Sequence, residues 1–331
     1  MATAMRETSG GRRGRSKLEC FNPATLEKIG EVDICTEEDT RAAVETARKA
    51  FETWSRLSLD ERGRFMLAAR DWLIDHLDEV IDTICLDTGK PRGEAILADV
   101  LGVADSLGFY AKKAKKYLSD EKVPLHLMKT KTLAVSYIPM GVVGIITPWN
   151  YPFSLAANPC IQAMMAGNTV ILKPSEITSL VGLKVAEMFT GARVPDGVFQ
   201  ILTGDGSTGA ALVNASCDKI SFTGSVEVGR KIAEICGRRL VPVSLELGGK
   251  DPMIVCADAD LARAARGAVY GAFANSGQVC TSTERVYVVE DVADEFTRRV
   301  LEETKALRQG STGEFDVGAI ACPQQLEIIE A

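Results

Sequence analysis

The chain has 331 residues, 46% of them hydrophobic and 25% charged, with a formal net charge of −7. That length suggests about two domains, and that balance excludes a largely disordered chain. The negative charge argues against nucleic acid or an anionic membrane surface as partner, and no stretch approaches the ~20 apolar residues of a membrane span.

Arg6, Arg12, Arg13, Arg15 and Lys17 stand among Gly10, Gly11 and Gly14 at the start of the chain. An Arg-rich, acid-poor start leaves organellar targeting open, but the glycines break any amphipathic helix, and residues 1–17 read as a flexible tail. Thr36-x-x-Asp39 and Ser58-x-x-Glu61 read as capping boxes. Val44, Ala47, Phe51 and Trp54 follow the first at helical spacing; Phe65, Ala69, Trp72 and Leu73 follow the second. A third helix is expected from about Arg92 to Tyr117, after the stop at Gly89-Lys90-Pro91. These stripes read as core faces.

From Lys131 the pattern changes. Short apolar runs at 134–138, 142–146, 170–172, 198–202, 220–222, 241–245, 253–255 and 286–289 alternate with helix-like stretches such as 179–190 and 208–215. Strand-helix-strand alternation with buried-type strands predicts an α/β fold with a parallel, doubly wound sheet of the nucleotide-binding kind.

Nine cysteines occur, none in a C-x-x-C pair, and the histidines are His76 and His126 alone. This composition makes a zinc site improbable and disfavours a Ser-His-Asp hydrolase; no metal is expected. Most of the thiols, Cys217, Cys236 and Cys256 among them, read as small buried apolar residues in a reducing, cytoplasmic compartment. Cys280 is different. It lies in the small-residue turn Gly277-Gln278-Val279-Cys280-Thr281, downstream of Leu245-Glu246-Leu247-Gly248-Gly249-Lys250, where a carboxylate ends an apolar strand before a glycine pair. A thiol nucleophile and a carboxylate base are the parts needed to form a thioester and hydrolyse it. Asn150, in Thr147-Pro148-Trp149-Asn150-Tyr151-Pro152-Phe153, adds a neutral amide donor for an oxyanion.

Gly204-Asp205-Gly206-Ser207-Thr208-Gly209 matches G-x-G-x-x-G after a strand, yet the acidic residue expected about 20 positions on is absent, because position 224 is glycine. A tight turn into a helix is the better reading there. A stronger dinucleotide candidate is Phe222-Thr223-Gly224-Ser225-Val226-Glu227-Val228-Gly229, where a strand ends and a helix opens, so that backbone N–H groups and the Ser225 hydroxyl face a pyrophosphate. Lys173, Ser175 and Glu176 follow another strand end, where open α/β sheets bind ligands. A carboxylate at Glu176 suits ribose hydroxyls and repels a 2′-phosphate, which favours NAD over NADP.

Taken in order, Pro139–Asn150, Lys173–Glu176, Phe222–Gly229, Glu246–Lys250 and Gly277–Cys280 resemble the aldehyde dehydrogenase superfamily. The resemblance implies a Rossmann-type cofactor domain plus an incomplete α/β catalytic domain. Its divisions would be the tail 1–17, helical segment 18–118, oligomerisation arm 119–139, cofactor-binding core 140–247 and catalytic part 248–331. It also implies roles. Cys280 attacks an aldehyde, Asn150 and the Cys280 N–H hold the oxyanion, and Glu246 activates water. NAD, or NADP, is bound by Thr147, Pro148, Trp149, Lys173, Ser175, Glu176, Phe222, Thr223, Gly224, Ser225, Gly229, Leu247 and Gly248. A homo-oligomer is implied for the full-length form.

The family also carries a later Glu-x-Phe-Gly-Pro segment for the nicotinamide ribose, and Glu314-Phe315-Asp316-Val317-Gly318 is not that segment. The sequence therefore predicts a C-terminally truncated chain of poor stability and little activity. An NAD-binding fragment that pairs with full-length subunits stays open beside the dehydrogenase reading, as does a cofactor-independent thiol esterase.

Overall fold

A computed structural model describes residues 15–330. It opens with an antiparallel pair, β1 (Lys17–Phe21) and β2 (Lys28–Asp33), that the apolar pattern does not reveal. Lys17, placed in the expected tail 1–17, therefore lies in a strand. Residues 1–14 lie outside the described residues, whereas Arg15 pairs with Asp39 at 2.7 Å and Lys17 with Asp33 at 2.7 Å. Opposite charge across the hairpin holds Lys17, and a carboxylate beyond the hairpin holds Arg15.

Helices α1 (Glu37–Trp54) and α2 (Leu59–Asp75) begin where the capping boxes place them. The Thr36 hydroxyl accepts the Asp39 N–H at 3.2 Å, and the Asp39 carboxylate accepts the Thr36 N–H at 2.9 Å. Such reciprocal caps satisfy two backbone donors that a helix start leaves free. Helix α3 (Leu77–Thr88) follows, then α4 (Arg92–Glu94), a π-helical turn (Ala95–Val100) and α5 (Leu101–Leu118). The expected third helix is thus present but carries a π-turn. Strands β3 (Glu121–Val123) and β4 (Leu133–Val135) form a separate antiparallel ribbon whose Val123, Leu133, Val135 and Tyr137 are exposed.

The centre is a five-stranded parallel sheet. Its strands are β5 (Val142–Ile146), β6 (Thr169–Lys173), β7 (Phe199–Ile201), β8 (Lys219–Gly224) and β9 (Val243–Leu247). Their order is β7-β6-β5-β8-β9, so the strand order reverses between β5 and β8. Helices α6 (Pro152–Met165), α7 (Ser179–Gly191), α8 (Gly206–Asn214) and α9 (Val226–Arg239) make the crossovers. Period-2 side-chain alternation splits the core in two. Val143, Ile145, Val170 and Leu172 face Phe153, Met164, Val185 and Phe189 on one side. Val142, Ile146, Ile171 and Phe222 face Val44, Ala47, Leu212 and Ile232 on the other. Both faces are covered, which is why the strands read as continuous apolar runs.

Beyond the sheet, β10 (Asp251–Val255) pairs in parallel with β11 (Thr283–Val288). Helices α10 (Leu261–Phe273) and α11 (Glu290–Lys305) gather a separate small core of Val255, Ala265, Ala268 and Phe296. A short 3-10 turn (Ala274–Gly277) joins α10 to the Cys280 segment, and α12 (Pro323–Glu330) follows. Among the described residues, no helix is long and apolar enough to cross a membrane.

Candidate active site

The carboxyl ends of β5 and β8 flank the point where strand order reverses, which is where open α/β sheets bind ligands. Thr147-Pro148-Trp149-Asn150 leaves β5 at that point, and Thr223-Gly224-Ser225 leaves β8. The Thr147 N–H donates to the Lys173 carbonyl at 3.2 Å, which ties the β5 and β6 ends together. Thr147 Oγ1 is buried without a partner and so keeps hydrogen-bonding capacity.

The Lys173 ammonium, almost wholly buried, reaches the half-exposed Glu176 carboxylate at 2.9 Å. Ser175 Oγ accepts the Ile177 N–H at 3.3 Å, closing the turn between them and α7. At β8 the Ser225 hydroxyl accepts the Val228 N–H at 3.3 Å and N-caps α9. Its own proton and the Val226 and Glu227 N–H groups belong to a helix start, a ready anion site. A Cβ built at Gly229 would lie 2.6 Å from Leu247 Cδ2, so this glycine lets α9 lie close on β9. A Cβ at Gly224 would strike the Phe222 ring at 2.5 Å.

The G-x-G-x-x-G run is a turn into α8. Asp205 caps that helix through the Ser207 N–H at 2.8 Å, and the Thr208 hydroxyl donates to the Cys35 carbonyl at 2.7 Å. These side chains are committed to local structure.

Three segments meet around Cys280. The Asn150 Nδ2 donates to the carbonyl of Gln278 at 2.9 Å, two residues before the thiol. The Gly249 N–H donates to the Cys280 carbonyl at 3.2 Å, which links the loop after β9 to the thiol turn. Glu246 sits in β9 three residues earlier, opposite Thr223 of β8. Cys280 and Glu246 are both exposed. Gly248 and Gly249, also exposed, give the loop between them its small cross-section.

The turn before Cys280 is strained. Asn275 (φ 49) and Ser276 (φ 59) are both left-handed, each at a cost of order 1–3 kcal/mol. Hydrogen bonds offset that cost. The Asn275 N–H donates to Glu94 Oε1 at 2.8 Å, its Nδ2 to the Asn150 carbonyl at 2.9 Å, and the Ser276 hydroxyl to the Gly318 carbonyl at 3.0 Å. The buried Gln278 amide bridges the Asn275 carbonyl at 2.9 Å and the Ala321 N–H at 2.8 Å. Burial pushes the Glu94 carboxyl above its usual range, opposed by the Asn275 N–H. Burial, with Glu94 and Asp99 nearby, pushes the Tyr151 phenol up as well.

Lys90 and Asp99 were not singled out in the sequence, yet they form a buried ion pair of 2.8 Å beside Asn150. The available signal was an isolated carboxylate inside the apolar run Ala95–Leu101. Cys256 departs from expectation in the other direction. It is exposed at the end of β10, whereas Cys217 and Cys236 are buried. A cavity of about 550 Å³ lies behind the Asn275 turn, lined by Glu94, Arg266, Tyr270 and Phe273, with none of Cys280, Glu246 or Asn150 in its walls.

This fold defines an α/β protein of the nucleotide-binding kind, with a thiol turn hydrogen-bonded to the loop that leaves the sheet's switch point. The model of the aldehyde dehydrogenase family matches residues 11–331, and the chain belongs to that family. It is 42% identical over 287 residues to 4,4'-diapolycopene aldehyde oxidase of a Methylomonas species, covering 86% of this chain and 54% of the relative. The crystal structure of Mycobacterium tuberculosis aldehyde dehydrogenase complexed with NAD+ superposes with a TM-score of 0.91 at 32% identity, over 95% of this chain and 65% of that one. An E. coli NADP dependent enzyme superposes with a TM-score of 0.89 at 33% identity, over 95% and 66%. The chain spans between half and two thirds of the length of these relatives.

Proposed function

We propose that the chain carries the machinery for oxidising an aldehyde to a carboxylic acid with NAD, or NADP, through a thioester on Cys280. The observation that carries the reading is the convergence of the Asn150 amide, the Cys280 turn and the loop after Glu246, joined by the 2.9 and 3.2 Å hydrogen bonds. The Cys280 thiolate adds to the aldehyde carbon, and the carbonyl electron pair moves onto oxygen. The Asn150 Nδ2 and the Cys280 N–H then donate to that oxygen. One such donor is typically worth ~3–4 kcal/mol of barrier. After oxidation, Glu246 takes a proton from water as the water attacks the thioester, and the acid leaves with the thiolate restored.

The residues at the switch point fit a dinucleotide. Lys173 and Glu176 offer a donor and an acceptor for ribose hydroxyls. Ser225 and the first turn of α9 offer N–H groups for a pyrophosphate, and Thr147 Oγ1 is an unpartnered polar atom at the crevice. Gly224 and Gly229 keep the backbone close, with Pro148, Trp149, Ser175, Phe222, Thr223, Leu247 and Gly248 as the surrounding wall. When bound, the dinucleotide supplies the two-electron acceptor. The exposed β3–β4 ribbon, residues 119–139, serves as a pairing arm between subunits, and the partner substrate is a small-molecule aldehyde.

A second reading is favoured by one observation. Cys280 and Glu246 are open to water, whereas acyl transfer gains from a water-excluded site. It is an NAD-binding chain without turnover that pairs with longer subunits through the ribbon.

NADH formation with aliphatic, aromatic and semialdehyde substrates, with Cys280→Ser as control, separates the two. Cys280-dependent turnover establishes the first reading. NAD binding without turnover from folded protein selects the second, and absence of both refutes the two together.

A further inference from the structure

The Lys90–Asp99 pair points at the backbone of Asn150 rather than at solvent. Both side chains are almost wholly buried, at 2% and 0% exposure. The Lys90 ammonium has three protons and three partners. It donates to Asp99 Oδ2 at 2.8 Å and to the Asn150 carbonyl at 2.7 Å, and it lies 4.5 Å from the centre of the Tyr151 ring. Asp99 is equally committed. Its other oxygen accepts the Phe153 N–H at 3.1 Å and the Ser154 N–H at 3.2 Å, where a carboxylate complements the start of α6. The π-helical turn Ala95–Val100 inserts Asp99 into this position, and such turns recur at functional sites.

The Asn150 carbonyl therefore receives two donors, Lys90 Nζ and Asn275 Nδ2. With its carbonyl so held and α6 anchored just beyond it, the peptide at Asn150 has one orientation. From that held backbone its Nδ2 donates to the Gln278 carbonyl beside the Cys280 turn. A buried ion pair is poor value for stability alone, since its desolvation rivals its attraction.

We infer that Lys90 is a positioning residue for the oxyanion donor, acting through the Asn150 carbonyl, with Asp99 setting Lys90 and the α6 start in register. The inference rests on the reading of Asn150 as that donor. It concerns addition of the thiolate to a carbonyl: a sulfur–carbon bond forms, the carbon–oxygen π pair moves to oxygen, and the thiol proton goes to water. No cofactor enters this step.

The test uses the 331-residue chain without dinucleotide. Iodoacetamide alkylates Cys280 by displacement at a saturated carbon and needs no oxyanion donor. Propionaldehyde and benzaldehyde protect the thiol by forming the carbonyl adduct. Mass spectrometry of the Cys280 peptide gives the alkylation rate and the aldehyde concentration that halves it. In Lys90→Met this concentration should rise roughly 10- to 100-fold, less than the roughly 100- to 1,000-fold lost with an oxyanion donor itself, because Lys90 acts through Asn150. Alkylation without aldehyde and NAD affinity should stay within about twofold, because neither requires that donor. Lys90→Met combined with Asp99→Leu removes both buried charges and should give the same split if the single variant folds poorly.

Unchanged protection in the folded double variant would overturn the inference. So would parallel loss of protection, alkylation and NAD affinity, which marks a merely structural pair. If wild-type Cys280 is protected but no NADH forms, the dehydrogenase reading fails while the variants still decide the role of Lys90. If aldehyde gives no protection to wild-type Cys280, both fall.

Discussion

Replacing Asp87 by asparagine should flatten the dependence of stability on pH. Asp87 lies in the last turn of α3 with no exposure to solvent. One carboxylate oxygen accepts the Val181 N–H of α7 at 3.1 Å, and the other is buried without a partner. Burial pushes the carboxyl from its ordinary 3.8 to about 7, against the pull of the Val181 and Leu180 N–H groups. That difference corresponds to ~4 kcal/mol. The folded chain holds the proton more tightly than the unfolded chain, so the contribution is complete below the unfolded value of 3.8. It is lost as pH rises toward the folded value of about 7. From about pH 5 to about pH 8 the wild type should lose ~2.5 kcal/mol relative to Asp87→Asn, which keeps the shape without the ionisation. Urea unfolding of both proteins at the two pH values measures this directly. Equal losses in both proteins, or a relative gain by the wild type at the higher pH, would refute the reasoning. Because α7 begins just after the Lys173–Glu176 turn, NAD affinity measured on the same samples would report whether the turn follows Asp87.

Three further perturbations address the site. Glu246→Gln should keep a pre-steady-state burst of NADH and slow steady turnover by roughly 100-fold, the size of a lost general base; an unchanged steady rate would remove Glu246 from that role. Glu176→Ser should raise the NADP-to-NAD preference roughly tenfold, because it removes a like charge from the 2′-phosphate and releases Lys173; isothermal titration with each dinucleotide tests it. Gly229→Val should cost ~1–3 kcal/mol in denaturant unfolding, since its Cβ meets Leu247 at 2.6 Å, and should weaken NAD binding as α9 shifts; full stability would show that α9 tolerates the branch.

What the sequence determined by itself is what depends on near neighbours. Capping boxes at Thr36 and Ser58, apolar strands at 142–146 and 170–172, and the small-residue turn at Cys280 are set by residues a few positions apart, so periodicity and spacing expose them. The order of motifs was enough to show the resemblance to the aldehyde dehydrogenases, and the family match bears it out. The β1–β2 pair escaped because its burial alternates weakly, and α3 because it follows α2 with only His76 between them. Only the tertiary structure decided the partners of Asn150. Lys90, itself held by Asp99, and Asn275 reach it from separate elements, and their side chains carry no local signature of that meeting. A hydrogen bond between residues 60 or 125 positions apart is fixed by how α5, α6 and the Cys280 turn pack, and packing is a property of the whole fold.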